Sequence, residues 1–474
     1  MAGYRALLKH SGNYLLATIA TKALAFISIP VYTYLLTVEE YGIFNIFIST
    51  VGISTVLLTL NTEVAISRYY YDSSDILDFK RFVGTSVRLI SIVFIIMSIV
   101  LVVFSKPLSQ YLNLDVPLTI AIIPVSLYNI VNSIFQQIYQ PLLQSKKIAA
   151  VSSIQAYLSF ALSVVAILLL DDKKYYGQVF GTIAAMIIIG SYSLRQIKPY
   201  YERYYSKEHI KYLLHYSIPY LPYSLSGILL AQFGKLIMGQ KEGFESAGMY
   251  SFASNIASLM LVLISVIHSA WNPFYFQNMK DSNYKKIDED YDLIWRCTII
   301  CAILLILFSP ELALLLGQPD FFGSLQIIPF LAVGYCFYQW SYVYMRNVGY
   351  AKKTIWNAGV VVSSGVVNII LSYILIDKYG DIGVSISFCL SYFVMLFLGW
   401  LVNKYFLKVY APAILNFISP LILLSPVVIC AWLQLTSGNF YLDLLIKFVV
   451  SIFCTIYLFY PWKEKIYNFI KSIN

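Results

Sequence analysis

The run "YLLATIATKALAFISIPVYTYLL", residues 14–36, sets the fold class of this 474-residue chain. A helix needs about 20 apolar residues to cross the hydrocarbon core of a bilayer, and this run supplies them. Its one charged residue is Lys22. The run is too long for the core of a signal peptide, and no small-residue cleavage site follows before Glu39. We therefore predict a retained first membrane-spanning helix.

The composition extends this prediction to the whole chain. Of its residues 59% are hydrophobic and 12% are charged, whereas roughly a quarter are charged in soluble domains. Apolar runs of helical length recur about fourteen times, without the alternation typical of membrane barrels. We predict an all-α integral membrane protein. The approximate spans are 12–36, 43–66, 82–104, 117–142, 148–170, 176–195, 213–239, 247–271, 292–309, 322–345, 354–376, 382–403, 411–434 and 440–460.

The basic residues predict the orientation. With the N-terminus in the cytoplasm, most lysines and arginines outside the helices fall in cytoplasmic connections, which is the positive-inside pattern. Both termini are then cytoplasmic, and the net charge of +9 reports topology rather than nucleic-acid binding. The basic residues of the opposite side are Lys106, Lys173, Lys174, Lys241 and Lys378.

An internal repeat divides the chain. Residues recur at a single offset of 206 residues, the separation of Ser11 and Ser217. Six helices in each repeat, an even number, make the two halves parallel. The predicted domains are a six-helix lobe at 1–199, a cytoplasmic linker at 200–212, a second six-helix lobe at 213–406 and two extra helices at 407–474. Further pairs at this offset are Tyr14 with Tyr220, Leu24 with Leu230, Glu39 with Glu245, Gly42 with Gly248, Lys146 with Lys352 and Gly177 with Gly383.

Lys22 lies near the middle of the first helix, where a lysine costs about 3 kcal/mol on insertion scales. Thr18, Thr21, Lys22 and Ala25 share one helix face at spacings of three and four residues, which predicts a polar strip facing a wet cavity. The alternatives are a lysine that extends to the interface, or one paired with a buried carboxylate such as Glu63.

Four further cations are candidates for the same cavity. Lys235 lies in helix 7, the repeat partner of helix 1, while Arg68, Arg88 and Arg346 lie near cytoplasmic helix ends. Each is also explained by the positive-inside rule or by a side chain that reaches the interface. Together they would make a cavity attractive to an anion.

Glu63 and His268 are the buried groups available for ion coupling, and satisfied polar contacts are the alternative for both. The six cysteines lie in or beside the predicted helices and are interpreted as packing residues. The outer connections are short, and no residues have catalytic or metal-binding spacing. We predict no cofactor, no metal and no enzymatic activity.

Three segments carry a family resemblance: "YLLTVEEYGIFNIF" (Tyr34 to Phe47), "LLQSKKIAAVSS" (Leu142 to Ser153) and "GKLIMGQKEGFESAGMYSFA" (Gly234 to Ala253). They resemble the polysaccharide-transporter branch of the multidrug/oligosaccharidyl-lipid/polysaccharide (MOP) exporter superfamily, the Wzx-type flippases. Where many relatives carry an Asp-Arg pair at the end of helix 7, this chain has Gly234 and Lys235, which keeps the cation without the acid.

The resemblance implies a MATE-like fold with a cationic central cavity between two six-helix lobes. It implies a bacterial inner-membrane protein that moves an undecaprenyl-diphosphate-linked oligosaccharide to the periplasmic leaflet by alternating access, driven by a cation gradient. Its other expected partners are membrane lipids, a polysaccharide polymerase and a chain-length regulator. We expect the diphosphate to bind Lys22, Arg68, Arg88, Lys235 and Arg346.

Three other functions stay open from the sequence. A multidrug or metabolite antiporter shares the fold, although such exporters bind cations and helix 1 offers Lys22 without an acid. A lipid II flippase would move a chemically similar substrate. A membrane-embedded polysaccharide polymerase would require a catalytic loop or cluster, which the short outer connections do not supply.

Overall fold

The structure, a computed structural model, describes residues 23–24, 26–413, 418–433 and 439–463. These residues form helices and connections and contain no strand, which confirms the all-α prediction. The helices are α1 (Phe26–Leu35), α2 (Val38–Thr59), α3 (Val64–Asp72), α4 (Ile76–Val103), α5 (Ser105–Leu112), α6 (Val116–Tyr139), α7 (Ser145–Leu168), α8 (Tyr175–Ile197), α9 (Lys207–Lys241), α10 (Phe244–Ala257), α11 (Leu259–Lys280), α12 (Tyr284–Leu307), α13 (Ser309–Leu316), α14 (Ile328–Tyr350), α15 (Ile355–Leu401), α16 (Ile418–Trp432) and α17 (Phe440–Phe459).

Within the described residues, 10 helices are long and apolar enough to cross a membrane, or up to 11 if the bent pair α12 and α13 forms one span. The predicted spans 354–376 and 382–403 fall almost entirely within α15, which contains a break at Gly380. The predicted count of fourteen therefore stays a prediction. The N-terminal part of the first predicted span, including Lys22, lies outside the described residues.

The start of α2 follows from local hydrogen bonding. The Thr37 side chain accepts from the Glu40 amide at 3.2 Å, and the Glu40 carboxylate accepts from the Thr37 amide at 3.2 Å. This capping box satisfies two amides that a helix start would leave free. The helix stops at Thr59, because Leu60 adopts a left-handed backbone with φ of 50°.

The repeat is visible where α2 and α10 begin. Val38 and Phe244 open these helices and are separated by the repeat offset. A Cβ on Gly42 would lie 2.0 Å from the Phe244 carbonyl oxygen, and a Cβ on Gly248 would lie 2.0 Å from that of Val38. Equivalent residues thus make the same contact in both directions, as across a two-fold axis.

A second pair of equivalent glycines lies in two helical hairpins. A Cβ on Gly177 would come within 2.6 Å of the Ile167 amide nitrogen, where α8 packs on α7. A Cβ on Gly383 would come within 2.4 Å of the Leu375 carbonyl oxygen, because the chain reverses between the two halves of α15. Gly380 makes that reversal at φ of 55°, a conformation that suits glycine.

Contacts between residues divide the chain into two compact units. The first contains 1–251 and 316–321, and the second contains 252–315 and 322–474. Helix α9, which opens the second repeat, belongs to the first unit and packs on α2. The predicted boundaries at 199, 212 and 406 stay a prediction.

In the second unit, an ion pair and a hydrogen bond attach α17 and the residues that follow it to other helices. Lys447 on α17 bonds Glu311 on α13 at 2.6 Å. At its other end, Trp462 donates to Asp292 on α12 at 2.7 Å, and Arg296 bonds the same carboxylate at 2.8 Å. Polar side chains inside a membrane protein pair in this way because lipid offers them no partner.

Candidate functional site

Arg346 on α14 is the cation that the structure surrounds most completely in the second unit. Its side chain is buried, with 6% of the residue exposed. The guanidinium carbon lies 4.8 Å from the ring centre of Trp271, 5.0 Å from Tyr342 and 5.9 Å from Tyr275. Aromatic faces attract a cation, and desolvation strengthens that attraction.

His268 on α11 completes this group of side chains. Its Nδ1 lies 2.5 Å from Nη2 of Arg346, and its ring stacks on Tyr342 with centres 3.7 Å apart. Because a guanidinium can only donate, Nδ1 of His268 is the acceptor and the imidazole is neutral. The structure thus brings together two of the predicted site residues, Arg346 and His268.

The Arg346 charge has no carboxylate partner among the described residues. Its Nε and Nη1 are buried and donate to no described atom, and His268 Nε2 is also without a partner there. The nearby acid Asp290 accepts from Trp271 at 3.1 Å and pairs with Lys286 at 3.0 Å. The aromatic side chains therefore surround a positively charged guanidinium whose Nε–H and Nη1–H groups could donate hydrogen bonds to an anion.

Sequence reasoning missed the aromatic residues of this site. His268, Trp271 and Tyr275 follow one another at spacings of three and four on α11, so they share one helix face. Tyr342 and Arg346 are four residues apart on α14 and do the same. This spacing could have been recognised in the sequence, but the packing of the two faces against each other could not.

The first unit contains a polar seam between α2 and α9. Lys235, a predicted site residue, donates to the Asn45 side chain at 3.3 Å. Polar side chains that could bind a ligand therefore lie where α2 and α9 pack together. Along the same seam, Ser49 donates to Gln232 at 3.0 Å, and Asn61, just after the end of α2, donates to Ser224 at 2.9 Å.

The remaining predicted cations have separate environments. Arg68 pairs with Asp72 at 3.0 Å, and its side chain is 52% exposed. Arg88 on α4 lies over the Tyr205 ring at 5.1 Å. Lys22 lies outside the described residues. The roles of Lys22, Arg68, Arg88 and Lys235 in substrate binding stay predictions.

Glu63 lies in the four-residue break between α2 and α3. It is 5% exposed, and its Oε2 has no hydrogen-bond partner among the described residues. Elsewhere in the described part of the chain, no group of three or more His, Cys, Asp or Glu is arranged to hold a metal ion.

More than half of the chain matches a known protein family. Residues 7–279 match the family described as polysaccharide biosynthesis protein. The chain belongs to this family. It is also similar to the Lsg locus putative protein 1 of Haemophilus influenzae, with 22% identity over 285 residues. That match covers 57% of this chain and 66% of the relative, just under two thirds of its length.

Solved structures with the same fold are transporters. The lipid II flippase MurJ, in an inward closed conformation, aligns with a TM-score of 0.73 at 15% identity over 95% of this chain and 99% of its own. An inward-facing multidrug resistance MATE family transporter of the MOP superfamily aligns with a TM-score of 0.62 at 15% identity over 85% and 96%. The chain is a multi-pass membrane protein with the predicted MATE-like fold, and its family match confirms the predicted resemblance to polysaccharide transporters.

Proposed function

We propose that this chain translocates undecaprenyl-diphosphate-linked oligosaccharide repeat units of O-antigen, capsule or exopolysaccharide. They move from the cytoplasmic to the periplasmic leaflet of the bacterial inner membrane by alternating access, coupled to a cation gradient. Family membership and the fold shared with a flippase support transport without any enzymatic step. A polysaccharide polymerase and a chain-length regulator would then act on the product.

The observation that carries this proposal is the buried Arg346. A membrane protein retains an intramembrane charge where function requires it, because burial of that charge is costly. Here aromatic rings and a neutral imidazole stabilise the guanidinium, and no described carboxylate neutralises it. The planar guanidinium can donate two parallel hydrogen bonds to a phosphate, which a diphosphate headgroup can accept.

The same chemistry argues against export of cationic drugs. A cation bound beside Arg346 would experience like-charge repulsion in a medium of low dielectric constant. A lipid II headgroup is also a diphosphate, so Arg346 does not separate the proposed substrate from lipid II. Cell viability separates them, since loss of lipid II export stops growth of the cell wall.

The proposal is tested in a deletion strain of the native bacterium. Spheroplasts are exposed to a lectin or to a membrane-impermeant oxidant, which reach the lipid-linked oligosaccharide on the periplasmic side. We expect a viable strain that accumulates the oligosaccharide in the cytoplasmic leaflet, relieved by the wild-type gene. Accumulation of unpolymerised units in the periplasmic leaflet would contradict the proposal and favour a polymerase.

A further inference from the structure

Helix α9 is longer than a membrane span requires. Its 35 residues extend over roughly 50 Å, whereas the hydrocarbon core of a bilayer is about 30 Å thick. Its first half contains four tyrosines, Tyr212, Tyr216, Tyr220 and Tyr223, and tyrosine is enriched where a helix meets the lipid headgroups. The first turns of α9 therefore lie at the membrane–water interface rather than in the hydrocarbon core.

Hydrogen bonds fix one side of these turns to the neighbouring helices. His209 is buried, and its Nε2 lies 3.4 Å from the Asp78 carboxylate and 3.2 Å from the Tyr69 hydroxyl. The Tyr212 hydroxyl donates to the Asp72 carboxylate at 2.6 Å. These contacts with α3 and α4 hold the start of α9 in one orientation.

The other side of these turns carries a basic row beside an apolar row, which together form the basic-apolar face of α9. Successive members of each row are four residues apart, so each row follows one side of the helix. The face lines a depression of about 590 Å³, a volume in the range of ligand pockets, about 300–1,000 Å³. The basic row is Lys207, Lys211 and His215, all exposed, and the apolar row is Ile210, Leu214 and Ile218, of which Ile218 is 50% exposed.

The two lysines of this face are available to an anion. Neither forms an ion pair in the described part of the chain, and the acid between them in sequence, Glu208, pairs with neither. Lysines at this end of a membrane helix follow from the positive-inside rule, but that rule does not require apolar side chains next to them. An apolar row that extends into the membrane beside a basic row at its surface matches a ligand with an anionic head and an apolar chain.

We propose that the basic-apolar face binds an anionic phospholipid of the surrounding membrane, in the cytoplasmic leaflet under the predicted orientation. Lys207 and Lys211 donate to its headgroup phosphate, and an acyl chain lies along Leu214 and Ile218, which are closer to the hydrocarbon core. His215 lies between these levels and can donate one hydrogen bond whether neutral or protonated. Anionic lipids attract basic residues beside a membrane helix in this way.

The lipid would stabilise the position of α9 without being transported. It would occupy the side of the first turns opposite the bonds of His209 and Tyr212 to α3 and α4. Farther along, α9 packs on α2 through the polar seam that contains Lys235. A bound phospholipid would therefore connect the headgroup layer to a helix that lines this seam, independently of the proposed transport function.

The test is binding of phosphatidylglycerol with a fluorescent acyl chain to the purified full-length protein in detergent micelles, followed by fluorescence anisotropy. Phosphatidylcholine with the same label is the zwitterionic comparison. We expect saturable binding of phosphatidylglycerol, tighter than that of phosphatidylcholine. Lys207→Gln with Lys211→Gln should weaken phosphatidylglycerol binding roughly 25-fold, about fivefold for each lysine, and leave phosphatidylcholine binding unchanged. Equal affinity of the wild type for the two lipids would overturn the proposal.

Lys352→Gln with Lys353→Gln is the matched control, because it removes two exposed lysines from another connection predicted to be cytoplasmic. We expect this variant to bind phosphatidylglycerol as the wild type does. All four substituted side chains are exposed, so both variants should remain folded, which their elution as monodisperse protein verifies. An equal loss of affinity in the two double variants would show a general effect of surface charge and overturn the proposal.

The apolar row is tested by Ile218→Ser. Its control is Ile187→Ser on α8, because Ile187 is also exposed, at 65%. Ile218→Ser should weaken the binding of both labelled lipids, which share the acyl chain, whereas Ile187→Ser should weaken neither. Unchanged binding in Ile218→Ser would contradict the proposed position of the chain.

Competition identifies the ligand. Unlabelled phosphatidylglycerol should displace the labelled lipid, and glycerol phosphate at the same concentration should not, because it lacks the acyl chains. Displacement by glycerol phosphate would assign the face to a free anion, and displacement by undecaprenyl diphosphate at a lower concentration than phosphatidylglycerol would assign it to the transported lipid. Either result would overturn the proposal, whereas the spheroplast assay tests transport separately.

Discussion

Arg346 shows how a membrane protein keeps a charge with no carboxylate partner among the residues that the structure describes. The rings of Trp271 and Tyr342 lie within 5.0 Å of the guanidinium, and His268 accepts a hydrogen bond from it. The sequence named Arg346 as one of the cations that could attract an anion, and His268 as a buried group available for ion coupling. It could not predict that the two meet, since they lie on different helices and only tertiary packing joins them.

Substitution of Arg346 tests its role in binding the diphosphate. Arg346→Gln removes charged hydrogen bonds of about 1.5–3 kcal/mol each, so we expect substrate affinity to fall roughly 10- to 100-fold. Arg346→Lys keeps the charge without the planar fork and should give an intermediate loss. The measurement is binding of a fluorescent undecaprenyl-diphosphate sugar to purified protein.

Arg81→Gln is the matched control, because Arg81 also lies over a tyrosine ring, Tyr204 at 5.0 Å, but is exposed. It should bind substrate as the wild type does. If Arg346→Gln bound as tightly as Arg81→Gln while both remained folded, Arg346 would have no part in recognition.

The stability of the protein should depend on pH through Asp115, which lies outside the membrane spans at the start of α6. The Tyr175 hydroxyl donates to its carboxylate at 2.9 Å, and Lys173 pairs with it at 3.3 Å. Chiefly through the Tyr175 bond, these contacts hold the pKa of Asp115 below its ordinary value. The stabilisation is present above that ordinary value, about 3.9, and is lost as the pH falls through the lower pKa of the folded state.

We therefore expect Asp115→Asn to unfold at a lower temperature than the wild type at pH 7, with the difference vanishing in acid. Unfolding temperatures measured from pH 7 to well below the ordinary aspartate pKa of about 3.9 provide the check, since the stabilisation is lost below that value. A difference that is constant over this range would show that Asp115 acts through packing alone.

At the level of helices, hydropathy predicted where spans exist better than where they are interrupted. The predicted span 117–142 compares with α6 at Val116–Tyr139, and 148–170 with α7 at Ser145–Leu168. The predicted span 43–66 includes the interruption after Thr59. Hydropathy measures the transfer of side chains into lipid, and it contains no information on which backbone hydrogen bonds are made.

Two glycines of α2 should respond differently to substitution by alanine. Gly42 lies at the close contact with α10, whereas Gly52 lies away from it. Gly42→Ala would place its Cβ 2.0 Å from the Phe244 carbonyl, so the backbones must separate, at a cost of about 1–3 kcal/mol. At Gly52 a Cβ would lie 3.8 Å from Ile228, an ordinary contact. Alanine is favoured there by about 0.5–1 kcal/mol, because glycine weakens a helix interior.

Thermal unfolding should thus show Gly42→Ala below the wild type and Gly52→Ala at or above it. Gly248→Ala should resemble Gly42→Ala, because the repeat gives both glycines the same contact. Equal stability of the Gly42 and Gly52 variants would mean that α2 and α10 do not depend on this close approach.

For the whole molecule, composition predicted the membrane class and the offset of 206 residues predicted the repeat, which recurs in the starts of α2 and α10. The sequence could not predict that residues 316–321 pack with the first unit. That assignment depends on contacts such as the Thr33 hydroxyl with the Leu316 carbonyl at 2.8 Å, and on the edge contact of Tyr41 with Phe321. Tertiary packing joins residues that no local pattern connects.

Translocation itself is measured with the purified protein in liposomes. An undecaprenyl-diphosphate-linked oligosaccharide carries a fluorophore on its terminal sugar, and a membrane-impermeant quencher reports the fraction in the outer leaflet. We predict that wild-type liposomes expose lipid that protein-free liposomes keep inside, and that Arg346→Gln slows this exposure roughly 10-fold or more. Equal quenching in wild-type and protein-free liposomes would contradict the account.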